Sequence, residues 1–150
     1  MTDFAQMLDE ARKAAHRAYA PYSKFRVGAV VLADDRLFTG CNIENASYGL
    51  TICAERVAIF GAVAAGCRHL DAIAVSCIDA PEGSAVSGLM PCGACRQVMA
   101  QFGQADMLVY VDRAGTFKLE DLLPNPFQLS YGPPTIRSRR ESLASLRENS

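Results

Sequence analysis

Hydrophobic positions change their spacing along this chain, and each change marks an element. Between residues 3 and 18, Phe4, Leu8, Ala11, Ala15 and Ala18 recur every three or four positions, the period of an amphipathic helix. Thr2 is its expected N-cap, and Tyr19-Ala20-Pro21-Tyr22-Ser23 its stop. Val27 to Leu32 is β-branched, Asp34-Asp35 is a turn and Leu37 to Ile43 is extended again, which predicts a hairpin. A polar loop follows to Gly49; Thr51 then offers a cap to a helix over 52–65, closed by Gly66. The apolar run 71–78 predicts a buried strand, and 79–88, with Pro81, Gly83 and Gly88, a loop. Pro91 suits the first position of a second helix reaching Phe102. Strands are expected at 107–111 and 117–119 around an Arg113-Ala114-Gly115 turn, then a short turn or helix over 121–127 broken by Pro124 and Pro126. A hairpin followed by alternating strands and helices implies a three-layer α/β/α sandwich around one five-stranded mixed sheet.

Length agrees with a single domain. A chain of 150 residues buries roughly 70% of its unfolded surface, and we place that domain at residues 1–130. Residues 131–150 change character, with Pro133-Pro134, four arginines between 137 and 147 and few large apolar residues. They are expected to form a basic extension, poorly packed or ordered by contact with another subunit. A net charge of -1 gives no basic footprint for a nucleic-acid partner. The longest small-apolar run, 57–65, is far short of the ~18 residues of a membrane span, and the N-terminus lacks signal-peptide character. The expected location is cytoplasmic, with no membrane partner.

In a reducing compartment the six cysteines are metal ligands or packing residues before they are disulfides. Cys41, Cys67 and Cys77 lie among apolar neighbours and are assigned to packing. Cys53 is different. It precedes Glu55 by two positions, and Pro91-Cys92-Gly93-Ala94-Cys95 lies downstream. Alone, Cys92 and Cys95 would equally suit a structural half-site or a redox pair, and a lone Glu55 would be a solvated helix residue. Together, in this order and at two helix starts, they form the signature of zinc-dependent base deaminases in its three-cysteine form. Three ligands with an open fourth position mark a catalytic zinc, one per subunit. His16 and His69 have no partner spacing to serve as a fourth ligand. Glu55 is the expected proton shuttle for attack of zinc-bound hydroxide on C4 of a cytosine ring.

Three thiolates make the zinc site formally anionic, which opposes ionisation of bound water. Each helix N-terminus recovers about 0.3–1 kcal/mol, rising to ~2 when partly buried. At 1.36 kcal/mol per pKa unit, two termini recover roughly one to three units. Arg56 is the candidate for further electrostatic support, through hydrogen bonds to thiolate sulfur.

With those residues in view, the chain resembles the small, homotetrameric cytidine deaminases. The likeness runs through Ala20-Pro21-Tyr22-Ser23, Phe25-Arg26-Val27-Gly28-Ala29, and Gly40-Cys41-Asn42-Ile43-Glu44-Asn45-Ala46-Ser47-Tyr48. It continues in Cys53-Ala54-Glu55-Arg56 and Pro91-Cys92-Gly93-Ala94-Cys95-Arg96-Gln97, and ends near Leu122-Leu123-Pro124 and Phe127, covering about residues 1–127. The resemblance implies hydrolytic deamination of cytidine and 2′-deoxycytidine to uridine and 2′-deoxyuridine plus ammonia, in pyrimidine salvage. It implies that Asn42 and Glu44 hold sugar hydroxyls, that Phe25 stacks near the pyrimidine and that backbone at Ala54 holds the base. Ala46, Tyr48 and Phe127 are implied to complete sites across subunits of the homotetramer. A carboxylate at Glu44 accepts from a hydroxyl and repels a phosphate, which favours nucleosides over nucleotides. Met90 replaces a serine common before the Pro-Cys pair, with little expected effect, and Pro126 bears on how Phe127 is presented. The rival readings are a zinc deaminase of another amine-bearing ring, such as blasticidin S, a free base or a modified cytidine, and a zinc-stabilised binding module. The basic tail would suit RNA only if binding survived moderate salt.

Overall fold

A computed structural model describes residues 3–132. Helix α1 (Phe4–Ala15) leads into the hairpin of β1 (Val27–Ala33) and β2 (Arg36–Cys41). Helix α2 (Ala54–Ala64), strand β3 (Leu70–Cys77), helix α3 (Gly93–Phe102), strands β4 (Gly103–Val111) and β5 (Gly115–Lys118), and the single turn α4 (Leu119–Leu122) follow. The five strands form one sheet in the order β2-β1-β3-β4-β5. Only β3 and β4 run parallel, joined through α3, so the expected mixed sheet is present.

Alternation along β1 and β3 builds the two outer layers. Val30, Ala72 and Ala74 pack with Met7 and Ala11 of α1 on one face. On the other, Ala29, Val31, Ile73 and Val75 pack with Ala54, Ala58 and Ile59 of α2 and Cys95 and Met99 of α3. Two glycines let the helices approach the sheet. A Cβ at Gly28 would collide with the Ala11 carbonyl of α1, and one at Gly40 with the backbone of Ala54 and Ala58 in α2.

Several boundaries differ from the sequence expectation, each for a local reason. Helix α1 ends at Ala15 because Arg17 and Ala18 close tighter bonds to Ala14 and Ala15, and Tyr19 then pairs with Asn42 and Glu44. Thr2 lies outside the described residues, and the Asp3 carboxylate caps Ala5 N. Helix α2 starts at Ala54 rather than 52, because Ile52 is held extended by mutual backbone bonds with Ile43. The Thr51 hydroxyl accordingly accepts from Asn45 N instead of capping α2. Helix α3 begins at Gly93, leaving Pro91 just outside, where its carbonyl accepts from Arg96 Nε. Strand β4 starts directly out of α3, four residues before the apolar run that signalled it. Of the basic extension expected over 131–150, residues 133–150 lie outside the described residues.

Candidate metal and substrate site

The starts of α2 and α3 meet beside the last residue of β3. Cys53 is the N-cap of α2 and Cys92 the N-cap of α3, and neither side chain spends itself on a capping bond. Their sulfurs are left free for each other: Cys53 Sγ lies 3.8 Å from Cys92 Sγ, which lies 3.5 Å from Cys95 Sγ. All three fall within 4.8 Å of one another. Sulfurs bound at ~2.3 Å with tetrahedral angles around one ion sit about 3.8 Å apart, so this cluster has the size and donor chemistry of a zinc site. The set stops at three sulfurs, since no other cysteine, histidine or acid joins the group among the described residues, and a zinc held there would keep a position for water.

Arg56, on the first turn of α2, places Nη2 3.4 Å from Cys53 Sγ, and its Nε is buried without a partner. Hydrogen bonding from Cys95, with further help from Arg56 and Cys92, pulls Cys53 down to about 5. The same bond with Cys53, together with burial, pushes Cys95 up, so the triad shares its charge unequally. Glu55 is only 4% exposed. Burial raises its carboxyl to about 7, and the nearby Cys53 charge adds to the effect.

A pocket of about 190 Å³ opens beside the cluster, lined by Phe25, Asn42, Cys53, Ala54, Glu55 and Cys92 among others. Six residues expected to act together are thus brought to one cavity. Asn42 is built into the wall: Oδ1 accepts from Val27 N and Nδ2 donates to Phe25 O, both at 2.8 Å. Glu44 stands outside the lining residues, where its carboxylate accepts from Tyr22 N, Ser23 N and the Ser23 hydroxyl. The Ser23 hydroxyl above all, with the two backbone N–H groups, holds the Glu44 carboxyl below its ordinary value. Ala46, Tyr48 and Phe127 do not reach this pocket from the same chain; Tyr48 is 76% and Phe127 70% exposed. Phe127 is nevertheless fixed, because Gln97 of α3 pairs with both its N–H and its carbonyl at 3.0 Å.

Residues without a functional signal in the sequence also line the cavity: Val27, Thr51, Val75, Gly88 and Leu89. Met90, expected to have little effect, lines the pocket too. Cys77, expected only to pack, forms another wall, and burial pushes its thiol up to about 11. His16 and His69 are exposed, as expected.

Comparison with known proteins bears directly on this geometry. Residues 1–111 match the family described as the cytidine and deoxycytidylate deaminase zinc-binding region. The chain belongs to this deaminase family. It is 43% identical over 139 residues to a cytidine deaminase of Mycobacterium tuberculosis, covering 92% of this chain and 97% of that one. A cytidine deaminase of Sporosarcina psychrophila is 48% identical over 110 residues, covering 73% and 76% of the two chains. The fold agrees at the same level. The crystal structure of cytidine deaminase from Mycobacterium tuberculosis superposes with a TM-score of 0.74 at 42% identity, covering 86% of this chain and 100% of that one. That from Burkholderia pseudomallei gives 0.73 at 44% identity, with 85% and 100% covered. Membership of the deaminase family makes zinc the resident metal, and the thiol triad fits it. No helix among the described residues is long and apolar enough to cross a membrane.

Proposed function

We propose that this chain hydrolyses the exocyclic amine of cytidine and 2′-deoxycytidine, releasing ammonia and leaving uridine or 2′-deoxyuridine. The observation that carries the reading is a cluster of three thiols, two of which, Cys53 and Cys92, line the same pocket as the buried carboxylate of Glu55. Cys53, Cys92 and Cys95 would hold zinc, and when bound the metal supplies the Lewis acidity that makes water nucleophilic near neutral pH. Glu55 would then do the proton work. Its carboxylate accepts a proton from the attacking water, passes it to the ring nitrogen and later protonates the departing amine. Water adds at C4 and ammonia leaves, so the balance needs no other reactant. Arg56 offsets the negative charge of the thiolates from a distance of 3.4 Å to the nearest sulfur.

The rest of the pocket suits a nucleoside. Phe25 offers a ring face to the pyrimidine, and the backbone at Ala54 meets its edge. Asn42 spends one amide hydrogen and one oxygen lone pair on backbone, which leaves the other hydrogen for a sugar hydroxyl. Glu44, kept ionised by its neighbours, accepts from a second hydroxyl and disfavours phosphate. We assign Ala46, Tyr48 and Phe127 to sites on neighbouring copies of a homotetramer, because their side chains are exposed while Phe127 is rigidly presented. Cytoplasmic pyrimidine salvage is the setting this activity serves. Relatives named cytidine deaminase weigh against the rival ring substrates.

Ammonia release, with loss of the cytosine chromophore in the ultraviolet, tests the reading on zinc-loaded protein. Turnover of cytidine and 2′-deoxycytidine is expected. Turnover of blasticidin S or free cytosine in place of both nucleosides would overturn it.

A further inference from the structure

We propose that Ser23 is a positioning residue for nucleoside recognition, its hydroxyl holding the Glu44 carboxylate where a sugar hydroxyl meets it. The inference deepens the proposed function and rests on it. Ser23 lies on an exposed turn, in a segment that shares the family likeness but where the sequence assigns it no role beyond ending α1. The geometry does. Phe25 N donates to Ser23 Oγ at 3.0 Å, so the oxygen is already an acceptor and its single hydrogen is committed elsewhere. That hydrogen goes to Glu44 Oε1. Glu44 Oε2 accepts from Tyr22 N at 2.9 Å and Ser23 N at 3.2 Å, so both carboxylate oxygens are pinned by one turn.

The turn is itself held against a backbone preference. Lys24 sits at φ 59, in the left-handed region, and its N–H bonds to Ala20 O at 3.1 Å. The Asn42–Glu44 segment is tied to the same strap from the other side, through Tyr19 N to Asn42 O and Glu44 N to Tyr19 O. Without the Ser23 hydroxyl, the backbone bonds still keep Glu44 near the turn. Oε1, however, loses the partner that fixes its direction. A mobile carboxylate binds the sugar less well, yet leaves the chemistry at the cysteine cluster untouched. The consequence falls on KM rather than kcat.

The test uses full-length, zinc-loaded protein carrying Ser23→Ala, Ser23→Thr or Glu44→Gln, and the Ser23→Ala/Glu44→Gln pair. The probes are cytidine and 2′,3′-dideoxycytidine, which lacks both ring hydroxyls. Ser23→Ala is expected to raise KM for cytidine about tenfold, the scale of a hydrogen bond to a charged group, with kcat within about twofold. Ser23→Thr restores KM, the dideoxy analogue shows no change, and the paired variant is no worse than Glu44→Gln alone. An unchanged KM for cytidine in Ser23→Ala overturns the assignment. An equal rise for the dideoxy analogue also overturns it, because the effect would then lie in the turn and not in the sugar contact. If the parent protein does not turn over cytidine at all, the proposed function falls first and this inference falls with it.

Discussion

Individual side chains here carry two kinds of work, and their ionisation separates them. Asp79 belongs to the structural kind. It accepts from Arg26 Nε and Nη2 and from Arg26 N, all at 2.8 Å, tying the start of β1 to the loop after β3. The Arg26 guanidinium holds its carboxyl at about 2, below the ~3.9 of an unfolded chain. A depressed carboxylate contributes stability above its unfolded pKa, and that contribution is lost as pH falls from about 4 to about 2. Asp112, lowered by its bond from Arg12 and by the Ser76 hydroxyl, acts in the same direction. Thermal melts of Asp79→Asn should therefore differ from the parent at pH 6 and converge with it near pH 2. A constant difference across that range would remove the ion pair from the acid response. The candidate metal site was legible because zinc chemistry demands particular residue types at particular spacings, as in Cys53, Cys92 and Cys95 with Glu55 two positions after the first. The Arg26–Asp79 pair was not, since 53 positions separate its members and the fold alone joins them.

At the scale of elements, helix starts and close approaches decide where chemistry can occur. Spacing, caps and breakers located α1 to α3 and the five strands, but their ends were set by tertiary bonds, and the short 3-10 turns at 48–50 and 86–88 were not foreseen. Ile52 reads as helix and is held extended by Ile43; Gln104 and Asp106, outside the strand expected from 107, belong to β4. The delayed start of α2 matters for function, because it makes Cys53 the cap residue and aims its sulfur at the start of α3. Gly28 illustrates the other constraint. Its missing Cβ lets the backbone of α1 lie against β1. Gly28→Ala must push the helix away, at a cost of about 1–3 kcal/mol or more. A lowered unfolding midpoint in urea at unchanged slope would show this, whereas an unchanged midpoint would mean the helix shifts freely. Asn42 joins the scales: its amide is proposed to meet a sugar, and it also ties the start of β1 at Val27 to the Phe25 carbonyl just before it.

For the whole molecule, the exposed aromatic side chains raise the question of assembly. Tyr48, Phe127 and Tyr131 are each at least 70% exposed, and the proposed assembly would cover Tyr48 and Phe127. Gln97 grips Phe127 from the same helix that carries Cys92 and Cys95, so the presented ring and the metal cluster share one support. If Phe127 completes a neighbouring site in the proposed homotetramer, Phe127→Ala should keep its zinc and its fold but lose turnover, and mixing it with an inactive Glu55→Gln partner should recover part of that activity in hybrid oligomers. Absence of recovery, with hybrids present by native mass spectrometry, would assign Phe127 to its own subunit. The central claim, that three thiolates hold the metal while Glu55 moves protons, is tested most directly by measuring zinc content and cytidine turnover on the same sample of Glu55→Gln. The account predicts about one zinc per subunit in both proteins and a loss of turnover of at least about a thousandfold in the variant. Full zinc with near-parental turnover would contradict it, and would move the proton work to another residue.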